Sequence, residues 1–117
     1  MRKPKRSNQE LEKLVSNVID VGSYRYSRHA LQRQDERRIN HHQIIQTLLR
    51  GERYEEQDRW QRKFSCWNYA YRFHDKEFCE SPIIVIVNVE TKVIIITVMW
   101  DIKYNKKKNG KKNTKAI

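Results

Sequence analysis

From Ser7 to Gly51 the apolar residues recur at three- and four-residue spacing, and from Glu52 onward they alternate or run without a break. That change of period predicts helices first and strands second. Leu11, Leu14, Val15, Val18 and Ile19 define one helical face. Ser7 with Glu10 opens this helix as a capping-box pattern, and Gly22 closes it. Ser27 caps a second helix that contains His29. Asn40 with Gln43 opens a third, in which Ile44, Ile45, Leu48 and Leu49 face the core before Gly51. The second and third helices form a short hairpin.

Trp67, Tyr69, Tyr71 and Phe73 alternate with Asn68, Ala70 and Arg72, the period of a strand with one aromatic face. Ile83 to Val89 and Val93 to Trp100 are almost continuously apolar and β-branched, which suits the middle of a sheet. Glu90 to Lys92 fits a tight connection, so this pair is expected to be antiparallel. Glu52 to Trp60 reads as a weaker, more polar edge strand. The expected fold is α+β, with N-terminal helices packed on a roughly four-stranded antiparallel sheet. A length of 117 residues allows one domain. There is no internal repeat and no Gly-rich phosphate loop.

The formal net charge of +11 points toward nucleic acid or another anionic surface. Its distribution matters more than its size. Arg2, Lys3, Lys5 and Arg6 at one end, and Lys103, Lys106, Lys107, Lys108, Lys111, Lys112 and Lys115 at the other, lie in segments without an acid. The chain therefore divides into a basic extension (1–6), a formally neutral body (7–102) whose cations are mostly arginine, and a Lys-rich tail (103–117). The tail is expected to be disordered when free. Lys106, Lys107, Lys108, Lys111 and Lys112 are its candidates for gripping a phosphate backbone, and a solvated charge run explains them equally well. No apolar run reaches bilayer length, and the start Met-Arg-Lys-Pro-Lys-Arg-Ser leads into a polar helix, so no membrane partner and a cytoplasmic location are expected. Cys66 and Cys79 lack the close spacing of a zinc or redox motif, and the adjacent His41 and His42 point apart on a helix. Free thiols, no metal site and no cofactor are expected.

Candidate chemistry gathers between Ser27 and Ile39. His29, Arg33 and Arg37 stand four residues apart, so they rise one turn at a time along one side of a helix, with Arg28 beside them. Arginine offers a permanently charged fork to phosphate oxygens, and an imidazole exchanges a proton near neutral pH. By itself the triplet also fits a plain amphipathic helix. Thr97 ranks above Trp100 on the last strand, because residues three apart point to opposite faces of a regular strand. In the sheet, Arg72 is a possible second cationic clamp and Tyr71 a possible hydroxyl donor to phosphate. Trp67, Tyr69 and Tyr71 suit core packing better than base stacking.

His29-Ala30, Arg33, Glu36-Arg37 and Ile39, followed by Gly51-Glu52 and by Ile96-Thr97-Val98, resemble a small bacterial domain of unknown function grouped with barnase, EndoU, colicin and RelE-type toxins, the BECR fold. The resemblance spans roughly Val21 to Asp101. The small residue usual before the family's isoleucine is Arg38 here. The resemblance implies a RelE-like fold and metal-independent RNA cleavage, in which the 2′-hydroxyl attacks the adjacent phosphate and leaves a cyclic phosphate. It further implies proton transfer by His29, charge stabilisation by Arg33 and Arg37, positioning by Thr97, and phosphate contacts from Arg28, Arg72 and Tyr71. The expected partners are RNA, free or ribosome-bound, and a cognate antitoxin. Two alternatives stay open: a non-catalytic nucleic-acid-binding protein, and a RelE/ParE-fold inhibitor of a protein target.

Overall fold

A computed structural model describes residues 3–74, 81–90 and 92–101. Its helices are α1 (Asn8–Val21), α2 (Arg28–Arg37) and α3 (His41–Arg50). Its strands are β1 (Tyr24–Tyr26), β2 (Glu52–Arg53), β3 (Arg59–Gln61), β4 (Cys66–Phe73), β5 (Ile83–Asn88) and β6 (Val93–Trp100). The Lys-rich tail with Lys106, Lys107, Lys108, Lys111 and Lys112, and also Cys79, lie outside the described residues.

The helix starts follow their caps. Ser7, Ser27 and Asn40 each accept a hydrogen bond from the backbone N–H three residues on, and Asn40 with Gln43 completes a reciprocal box. The second and third helices are thereby fixed within a residue of their predicted starts. Gly51 ends α3 with ordinary extended backbone; a side chain there would run into the carbonyls of Thr47 and Arg72.

The sheet departs from the four-stranded antiparallel expectation. Its order is β1-β6-β5-β4-β2, with β3 also paired to β4, and β1 lies parallel to β6. The described sheet is therefore mixed and has about six strands. The long strands β4, β5 and β6 pair antiparallel, which for β5 and β6 is the arrangement expected from the short connection Glu90 to Lys92. The polar stretch expected as one edge strand instead breaks at a 3-10 turn, Glu55–Gln57, into β2 and β3. The cause is Asp58, which turns inward and replaces a strand's ladder contacts: its Oδ1 accepts from the Ala70 amide at 2.8 Å.

One face of the sheet holds the core. Leu11, Val15, Ala30, Ile39, Ile44 and Leu48 from the helices pack on Tyr69, Tyr71, Ile83, Val85, Val87, Val93, Ile95 and Val98. A smaller cluster of Ala70, Ile84 and Ile86, with Tyr54, Ile96 and Met99, lies on the face away from α1 and α3. Between Ile86 and Val87 the register shifts, so Ile96 is the extra residue of a bulge in β6. The bulge turns both Ile96 and Thr97 to the far face and restores Val98 to the core.

The first described residues are strapped to β4. Trp67 Nε1 donates to the Lys3 carbonyl at 2.7 Å, the Arg6 amide donates to the Tyr69 hydroxyl at 2.9 Å, and Lys5 Nζ stands 3.0 Å from Asp58 Oδ2. No helix among the described residues is long and apolar enough to cross a membrane.

A candidate anion site on the second helix

The helix α2 runs beside the part of β6 that β1 leaves uncovered. Ser27 ties its start, donating through Oγ to the Ile96 carbonyl at 2.9 Å. Arg37 and Trp100 tie its end: Arg37 Nη1 donates to the Val98 carbonyl at 2.6 Å, and Trp100 Nε1 donates to the Arg37 carbonyl at 2.8 Å. Ala30, completely buried, faces the core between these ties. Successive helical residues turn by about 100°, which puts Arg33 and His29 on one flank of Ala30 and Gln34 and Leu31 on the other. The second flank, with Arg38, Ile39 and Asn40, borders a shallow depression at the start of α3. The first flank, carrying His29 and Arg33, therefore looks away from α3.

His29 is exposed and Arg33 half-buried. His29 Nε2 accepts from Arg33 Nε at 3.4 Å, and Arg33 Nη1 pairs with Glu36 at 2.7 Å. Hydrogen bonds from Gln32 and Arg33 hold the Glu36 carboxyl below its ordinary range. This flank thus offers an accessible imidazole next to a guanidinium, and Arg28 is exposed one residue before His29.

The other expected members divide between the two faces. Thr97, in register with Ile86, lies on the far face with Ile96 and Met99, and Trp100 packs on the helix side, as strand alternation around the bulge requires. Arg72 also lies on the far face, in register with Ile84, two strands from β6. Its Nε donates to Asp101 Oδ2 at 2.8 Å and its guanidinium sits over the Tyr54 ring. Any phosphate contact from Arg72 has to compete with that pair. Two further expected members are taken up by the fold's own contacts. Arg37 is committed to the Val98 carbonyl, so it fastens the helix to the sheet. Tyr71 is only 5% exposed and turned into the core, where burial pushes its hydroxyl up to about 12, so it is not placed to meet a phosphate at the surface. Cys66 is a buried free thiol.

One cluster escaped the sequence reading. The exposed His41, first residue of α3, lies between two tyrosines of β1: Nε2 is 2.8 Å from the Tyr24 hydroxyl and Nδ1 is 2.5 Å from the Tyr26 hydroxyl. Burial first, and the neighbouring Tyr24 second, push the Tyr26 hydroxyl up to about 12, so Tyr26 is a neutral partner at physiological pH. The i, i+2 spacing of Tyr24 and Tyr26 is a strand signal, but three residues are too few to reveal a strand, and the histidine arrives from a later element.

No curated protein and no solved structure matches the chain. A family model described as a domain of unknown function, DUF4258, matches residues 26–100, a span that begins at the end of β1 and includes α2, α3 and the strands from β2 to β6. The chain that carries the His29–Arg33 flank belongs to that family.

Proposed function

We propose that this domain is a toxin-like endoribonuclease that cleaves RNA without a metal ion, by attack of the 2′-hydroxyl on the adjacent phosphate. The observation that carries the reading is the accessible His29 with the Arg33 guanidinium 3.4 Å away, on the flank of α2 that looks away from α3. The contact is long and weak for a hydrogen bond. When Arg33 turns to a phosphate, Nε2 of His29 is released to accept the 2′-hydroxyl proton. The 2′-oxygen then bonds to phosphorus as the bond to the 5′-oxygen breaks, and the leaving oxygen takes a proton from the imidazolium or from water. Arg33 donates to the nonbridging oxygens as their charge grows. Arg28 holds a neighbouring phosphate. Thr97 and Arg72 serve the flanking nucleotides from the far face, while Arg37 keeps the helix in place.

In this reading the fold is BECR-like, the substrate is RNA, free or on the ribosome, and a cognate antitoxin covers the His29 and Arg33 surface. Cleavage of total RNA and of translating ribosomes in the presence of chelator tests it. The parent chain is expected to leave new cyclic-phosphate ends, and His29→Ala and Arg33→Ala are each expected to slow their appearance about a hundredfold or more. RNA left intact by the folded parent chain discards cleavage. RNA bound but uncut selects the non-catalytic alternative.

A further inference from the structure

The Tyr24–His41–Tyr26 cluster lies on the core-side face of β1, apart from the flank that bears His29. Three aromatic rings meet there within 6.3 Å of one another, centre to centre. Tyr24 and His41 are nearly parallel, at 19°, and joined by a hydrogen bond. Both imidazole nitrogens are occupied by phenol oxygens. In the neutral ring one nitrogen donates to a tyrosine oxygen and the other accepts from a tyrosine hydroxyl. Both imidazole nitrogens are thus engaged, and apart from the O–H of the phenol that accepts, what remains to meet a ligand is aromatic surface, with His41 exposed and both tyrosines half-buried.

A cluster that only completed the core would bury its histidine. A metal site would leave at least one imidazole nitrogen open. Here the hydrogen bonds pin the rings without closing them off, so a flat partner binds with little loss of side-chain freedom. Charge narrows the partner further. Between Tyr24 and His42 the chain has five arginines, Arg25, Arg28, Arg33, Arg37 and Arg38, against Asp35 and Glu36, a local charge of +3. Arg25, Arg28 and Arg38 are exposed. A flat group attached to a polyanion is a nucleobase on a strand, and bases that are unpaired have faces available for stacking.

We infer that Tyr24, His41 and Tyr26 form a stacking platform for an unpaired base of single-stranded RNA, separate from the His29–Arg33 flank of α2. The inference deepens the RNA reading above and rests on it, and it adds that the substrate is unpaired at this position. Tyr26 directly precedes Ser27, the cap of α2, so the exposed Arg28 follows the platform by two residues.

The test uses the full chain and a short unpaired oligoribonucleotide with 2′-O-methyl groups, which binds without being cut. Stacking is expected to move the ring-proton resonances of His41 and Tyr24 upfield on titration. Tyr24→Ala and His41→Ala are each expected to weaken binding about tenfold, and Tyr24→Phe, which keeps the ring, to stay within about twofold. The same sequence in a duplex is expected to leave the ring resonances in place. Binding with no ring shift and with unchanged affinity in both alanine variants overturns the platform and leaves the RNA reading standing. Absence of affinity for RNA in the folded parent chain overturns both. The parent's spectrum decides the matter even where an alanine variant fails to fold.

Discussion

Asp58 has a side chain with no solvent exposure, and donors surround it. Arg53 grips both oxygens, at 3.0 and 2.6 Å, the Ala70 amide donates at 2.8 Å, and Lys5 adds a more exposed contact. Burial by itself pushes this carboxyl up; the hydrogen bonds from Arg53, the Ala70 amide and Lys5 outweigh it, and the net position is below the ordinary range. Asp58→Asn leaves the nearly buried Arg53 without its counter-charge and is expected to destabilise the fold by about 3 kcal/mol in urea titration. A carboxyl held low stabilises the folded state at all pH values above its unfolded pKa of about 3.9, and that stabilisation drains away as pH falls toward the depressed folded value. The parent should therefore lose stability with acid along a slope that the variant lacks. Tyr71 behaves in the opposite way. Its hydroxyl is buried with no partner among the described residues, so Tyr71→Phe should be neutral or stabilising by about 1 kcal/mol, and should remove a loss of stability that the parent shows between pH 10 and about 12. At this scale the sequence is least legible. His29 and Arg33 can be read because one helix carries both, whereas the partners of Asp58 come from residues 5, 53 and 70, which only the folded chain assembles.

Secondary structure was legible where it is local. Ser7, Ser27 and Asn40 announce their helices because a cap and its target are three residues apart, and the apolar runs of β5 and β6 announce themselves by length. By contrast β1 did not, since its three residues make sense only beside Val93–Ile95, about seventy positions away. The bulge at Ile96 was equally hidden, although strand alternation still separated Thr97 from Trp100. The end of α2 shows a local rule broken. Arg38 sits in left-handed backbone, φ 52° and ψ 46°, while its amide donates to Asp35 and the Ile39 amide to Gln34, the bonding pattern that Gly22 gives the end of α1. A non-glycine residue held there costs about 1 kcal/mol. Arg38→Gly should recover about that amount in thermal or urea unfolding.

For the whole molecule, the partition of charge separates two tasks. The 14 acids all lie within residues 7–102 and balance the cations there, so the excess of +11 comes from the two ends. At one end Lys3, Lys5 and Arg6 are engaged with β4 and Asp58, and the other end carries the larger count of cations, seven lysines from Lys103 onward. If the proposed RNA binding holds, truncation before Lys103 should flatten its salt dependence, by up to about 5 in the slope of log K against log salt if all seven lysines meet single-stranded phosphates.

The closing of the β6 edge has a consequence for handling and for inhibition. Val93–Ile95 is covered by β1 and the Val98 carbonyl by Arg37, so this apolar strand is shielded from pairing with a neighbour at those positions. Beyond Ile95 its guard is the same helix that carries His29 and Arg33. Any inhibitor that works by prying that helix away would expose an aggregation-prone template of isoleucine and valine. A ligand that leaves the domain soluble therefore has to settle on the helix where it lies, and variants that loosen its ties at Ser27 or Arg37 should precipitate.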